Sequence, residues 1–187
     1  MKKLVALLLA LCLLCVSAAA LAETAEATTQ AQKLELDGFT LDLVSGEYYL
    51  TYEKVAHQLY VVVYPFYAQG DMAHNYNFVW AGDTFEMTVE GVEANLASME
   101  QNIKSGLEAQ GITMDAFTPE EPYDVTLNGA DCVALDFTLQ LSTLGQSFTV
   151  YQREIMLGSI GYIVTLTATS PENLDIITQM LTQSLSF

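Results

Sequence analysis

The sequence predicts an α+β domain: an antiparallel β-sheet built from hairpins and a meander, with helices packed on its faces. Three observations predict it. Val133, Leu135, Phe137, Leu139 and Leu141 are apolar at every second position, the period of a strand with one buried face. Asn128-Gly129, just before them, is the preferred pair for a type I′ hairpin turn, because both central residues need positive φ. Val89, Val92, Leu96, Met99, Ile103 and Leu107 recur at steps of three and four, the stripe of an amphipathic helix.

In chain order, Met1–Ala22 reads as a secretory signal. Lys2 and Lys3 precede the apolar run Leu4–Val16, and Ala20-Leu21-Ala22 offers small-x-small cleavage after Ala22. A retained membrane anchor is the competing reading. The leader style suggests a bacterium. Residues 23–33 are small and polar and are expected to be a flexible linker. A single α+β domain then runs over residues 34–187.

Leu34–Leu36, Asp37-Gly38 and Phe39–Leu43 form an expected hairpin, again with a type I′ pair. Glu47–Gln58 fits either a strand or a helical turn. Tyr60–Phe66 is a strand apolar on both faces, hence central or covered twice, and Pro65 belongs at its end. Ala68–His74 is a loop. Tyr76, Phe78 and Trp80, alternating with Asn75, Asn77 and Val79, give a strand suited to pair with Tyr60–Phe66. One helix is expected over Thr88–Gln110, with Gly111 just past its end. Ile112–Pro122 is a strand or an acidic extended linker.

The meander follows, through Cys132–Leu141, Phe148–Leu157 and Tyr162–Thr169, after an opening strand Tyr123–Leu127. Gln152 and Glu154 interrupt the apolar alternation of Phe148, Val150 and Met156, and a β-bulge is expected there. Ser170-Pro171 caps a last helix whose stripe is Leu174, Ile177, Leu181 and Leu185.

This order resembles the PsbP-like fold, which includes DcrB-like bacterial envelope proteins. The resemblance is carried by the hairpin LELDGFTLDL, the amphipathic helix before a meander, and the ending GYIVTLTATSPENLDIITQMLTQSLSF. It implies an antiparallel sheet with helices on its faces and an extracytoplasmic, non-catalytic role in binding or assembly. It carries no functional residues over to this chain.

The chain has 6 basic and 23 acidic residues, a net charge of −17, and loss of the leader removes two of the lysines. Phosphates would be repelled, so nucleic acid is excluded as a partner. Apart from the signal segment, no membrane contact is expected. Two of the three cysteines lie in the leader; Cys132 alone remains, and reads as a small buried hydrophobe.

No cofactor or metal site is expected. Asp71 with His74, and Asp83 with Glu86, come nearest to a cation site but lack a calcium-loop pattern. Gly158-Ser159-Ile160-Gly161 is a turn, not a nucleophile elbow. The candidate binding residues are Tyr64, Tyr67, Asn75, Tyr76, Asn77 and Trp80, since aromatics beside amides can form a platform for sugars or peptides. The competing reading puts these aromatics in the core. The functional expectation is an exported, non-enzymatic domain that binds an envelope protein or a small ligand. The alternative class is an envelope hydrolase using His57 or His74.

Overall fold

The computed structural model describes residues 26–28, 31–36, 38–44, 48–54, 58–81 and 88–187. The leader, His57, Asp83 and Glu86 lie outside them. Among the described residues, nine strands form one antiparallel sheet and three form a second, small one.

The large sheet contains β1 (Glu26–Thr28), β4 (Tyr48–Lys54), β5 (Gln58–Tyr64), β6 (Asn75–Trp80), β7 (Thr113–Pro119), β8 (Tyr123–Leu127), β9 (Ala130–Thr143), β10 (Gln146–Leu157) and β11 (Tyr162–Ala168). Its order is β1-β4-β5-β6-β11-β10-β9-β7, with β8 pairing β9 beside β7. The small sheet is β12-β3-β2, from β2 (Gln32–Leu36), β3 (Phe39–Leu43) and β12 (Leu185–Ser186). The helices are α1 (Val89–Glu93), α2 (Leu96–Glu108) and α3 (Pro171–Ser184).

The meander forms as its alternation requires. Asn128 and Gly129 both have positive φ, 48° and 89°, which fits the tight β8–β9 turn. Val133 through Leu141 then present every second side chain to one face, where they pack with Met99, Ile103 and Leu107 of α2. The opposite face of the sheet meets α3 and the small sheet in a second core. There Phe39 of β3 stacks on Phe78 of β6 with centroids 4.9 Å apart, and meets Tyr162 of β11 edge-on at 5.1 Å. These contacts fasten the N-terminal hairpin to the sheet. Helix α3 is closed at its start by Ser170, whose hydroxyl accepts from the backbone N–H of Asn173, with proline in the first turn.

Several expectations are corrected. Strands β2 and β3 form a separate sheet with the chain's last strand, one that covers the main sheet and does not extend it. Leu185 belongs to that strand and not to the helix, because it pairs with Leu41. Within the ambiguous segment, Tyr48–Lys54 is a strand, β4, paired along its length with β5. Glu26–Thr28 and Gln32–Lys33, expected within a flexible linker, lie in strands, the first paired with β4 and the second with β3.

The helix expected over Thr88–Gln110 is two helices. Asn95 turns its side chain back to donate to the carbonyl of Gly91 at 2.6 Å, and its own N–H bonds to Val92, three residues back. Such side-chain competition for the backbone breaks a helix ladder. The bulge expected in β10 is absent: its register runs unbroken against both β9 and β11. The irregularity lies in β7, between Met114 and Ala116. Gln152 and Glu154 therefore keep the strand's alternation and point into the protein.

Candidate functional site

Because β6, β11 and β10 are adjacent, register alone decides which of their side chains meet. Glu154 pairs with Thr165, and Thr165 pairs with Asn77. One step along, Gln152 pairs with Thr167, and Thr167 with Asn75. Paired residues in an antiparallel sheet share a face, so these six form two parallel polar rows on the face that carries α2. All six are buried: Asn77 and Gln152 are 1% exposed, Thr165 1%, Glu154 3%, Asn75 5% and Thr167 6%. Toward β9 that face is apolar, with Leu135 and Phe137 on β9, Met156 on β10 and Ile163 on β11.

Such a strip is unexpected in a folding core. Some of its groups are matched: Asn77 Nδ2 donates to the Thr165 carbonyl at 3.2 Å, and Gln152 Nε2 donates to Thr167 Oγ1 at 2.9 Å. Others are not. Among the described residues, Oδ1 of Asn75, Oδ1 of Asn77, Oγ1 of Thr165 and Oε1 of Glu154 are buried with no hydrogen-bond partner. A buried polar group left unmatched costs about 1–3 kcal/mol, so natural cores rarely keep several together. Burial also pushes the Glu154 carboxyl up to about 8 from its ordinary 4.5.

A second constellation gathers around His74, which is buried and meets Phe66 edge-on. Its Nδ1 lies 2.5 Å from Asp71 Oδ2; its Nε2 lies 2.9 Å from Thr169 Oγ1 and 3.0 Å from Asn173 Nδ2. Burial opposes the Asp71 charge, but the backbone N–H of Ala73 and the His74 imidazole together hold its carboxyl below the usual range. Acid, imidazole and hydroxyl in line have the order of a nucleophilic triad. However, the Asn173 amide shares the lone pair that a general base would use. The arrangement ties the 71–74 loop to the first turn of α3.

A third constellation is ionic. Arg153 of β10 forks onto Asp136 of β9 with Nε–Oδ1 at 2.7 Å and Nη2–Oδ2 at 2.6 Å, and reaches Thr178 of α3 at 3.0 Å. The hydrogen bonds to Asp136 raise the guanidinium above its ordinary value. Among the described residues, no group of three or more His, Cys, Asp or Glu side chains could hold a metal. No described helix is long and apolar enough to cross a membrane. Cys132 is buried, and burial raises its thiol.

The six residues named from sequence are not brought together as an exposed platform. Tyr64 and Tyr76 are buried on the sheet, because β5 and β6 are interior strands with cores on both faces. Trp80 is half-buried against the core shared with α3. Tyr67 is exposed on the short 3-10 turn after β5. Asn75 and Asn77 face the opposite way from Tyr76 and Phe78, into the polar rows. Glu154, Gln152, Thr165 and Thr167 were missed by sequence reasoning. The interruption of β10 by Gln152 and Glu154 was the available signal.

No protein-family profile and no curated protein matches the sequence. Solved structures do. The solution structure of cyanobacterial PsbP (CyanoP) from Synechocystis sp. PCC 6803 is 10% identical, with 85% of this chain and 93% of that one covered and a TM-score of 0.49. PA94 of Pseudomonas aeruginosa, a protein of unknown function, is 14% identical over 82% and 92%, with a TM-score of 0.32. LpqN of Mycobacterium tuberculosis, described as involved in cell envelope biogenesis, is 13% identical over 87% and 90%, also at 0.32. A PsbP structure thus stands among those similar to this chain, as the order of its elements led one to expect. The likeness concerns fold, and no function is taken from it.

Proposed function

We propose that the protein is an exported, non-enzymatic binding domain of the bacterial cell envelope, and that its receptive element is the polar strip on β6, β11 and β10. One observation carries the reading: four polar side chains, each more than nine-tenths buried, hold acceptor atoms without partners on adjacent strands. Folding gains nothing from leaving them so, whereas a ligand that supplied donors would match them. Export is supported by the leader pattern of Met1–Ala22 and by the acidic composition.

Native mass spectrometry of the protein, purified from its own envelope without denaturation, tests this. The expected result is a bound small species that leaves with Glu154→Gln or Thr165→Val and stays with His74→Gln. Bare wild-type protein in repeated preparations would contradict the binding reading. A species retained by the strip variants but lost with His74→Gln would move the site to the His74 cluster and revive the hydrolase alternative.

A further inference from the structure

We propose, resting on the binding reading above, that the strip takes one hard monovalent cation, either an alkali ion or the ammonium group of a primary amine, among Glu154, Thr165, Asn77 and Asn75. Every unpartnered atom there is an oxygen: two amide carbonyls, one hydroxyl and one carboxyl oxygen. Oxygen-only sets suit hard cations and ammonium donors, and lack the nitrogen or sulfur that transition metals prefer. Anions would meet carbonyl oxygens and be repelled.

Charge fixes the valence. Glu154 is the only carboxylate in the two rows, and the neighbouring Leu135, Phe137, Met156 and Ile163 on that face are apolar. One buried negative charge neutralises one positive charge; a second would be stranded at low dielectric. Spacing fits as well. Paired side chains on one face sit about 5 Å apart, and the short Thr165 lies between the longer Glu154 and Asn77, whose oxygens can close over its hydroxyl. The acidic chain, with a net charge of −17, favours cations near it.

Thermal unfolding at pH 9 in equal concentrations of sodium, potassium, methylammonium or tetramethylammonium chloride tests the inference, with calcium chloride and glycerol as further arms. The expected result is a saturable rise in Tm, about 5 °C at a hundredfold excess over Kd, with one or more of the first three salts and none with tetramethylammonium. A rise with methylammonium alone identifies a primary amine; a rise with sodium or potassium identifies an alkali ion. Glu154→Gln should abolish the rise, and Thr165→Val should weaken apparent affinity about tenfold, the loss of one good oxygen ligand. Both variants are near-isosteric, and each serves as a check if the other fails to fold. A rise with calcium alone, equal rises with all four monovalent salts, or a rise that survives Glu154→Gln overturns the inference. A saturable rise with glycerol alone overturns it while leaving the binding reading intact. Silence in every arm also overturns it, and the binding reading then stands or falls on the mass spectrum.

Discussion

Stability should fall steeply as pH rises from about 5 to about 8, and Glu154→Gln should remove most of that fall. Unfolded, the Glu154 carboxyl ionises near 4.5; folded, it holds its proton up to about 8. Between these values the folded state carries a proton that the unfolded state has lost. Stability from this group is therefore complete below 4.5 and is lost as pH climbs through 8. The slope is about 1.4 kcal/mol per pH unit, on the order of 5 kcal/mol over the window. The cause is burial alone, so no ion pair has to be broken for the proton to leave. Glutamine keeps the shape and cannot ionise. Urea unfolding of both proteins at half-unit steps, in tetramethylammonium buffer, checks this; parallel curves would contradict it.

Arg153→Met should cost about 3 kcal/mol, among the largest losses for any single polar side chain. The guanidinium joins β9, β10 and α3, and both it and Asp136 have side chains only 16% exposed. Removing it leaves the Asp136 carboxylate largely buried without its counter-charge, with the Tyr123 hydroxyl at 3.3 Å as its remaining side-chain donor, which costs more than the pair itself contributes. A second change, Asp136→Leu, should therefore restore most of the loss, as a double-mutant cycle by urea unfolding would read. Asp175→Ala should cost a few tenths of a kcal/mol, about the worth of an exposed pair, because its contact is 3.4 Å and its side chain is 67% exposed. A large loss for Asp175→Ala, with a small one for Arg153→Met, would reverse this assignment.

Much of the fold was legible because it follows from local rules. The alternation of Val133–Leu141 needs only a two-residue period, and Asn128-Gly129 needs only two positive φ values. The Ser170 cap is equally local. Elements set by distant pairing were less legible. Leu185 continues the helical stripe of α3, yet Leu41, far away in sequence, pulls it into a strand. The break at Asn95 rests on one side chain reaching back to Gly91, which periodicity does not record.

The site was hidden for a related reason. Gln152 and Glu154 look like errors in an apolar pattern, and a bulge is the usual repair. Only when β10 is seen between β9 and β11, covered on both faces, do the two residues become buried polar groups in register with Thr165, Thr167, Asn75 and Asn77. The asparagines were visible from sequence beside their aromatic neighbours. The aromatics drew the eye, but Tyr76, Phe78 and Trp80 face the other core, where Tyr76 lies edge-on to Phe78 at 6.3 Å.

The polar strip is, on this account, kept for a ligand at the expense of the fold. The most direct measurement is the unfolding free energy of the double variant Glu154→Met, Thr165→Val at pH 6 in ligand-free buffer. Two unmatched polar groups replaced by apolar ones of similar shape should make the protein about 2 kcal/mol more stable. A loss of similar size would mean that the six residues hold the sheet together, and that no ligand is needed to explain them.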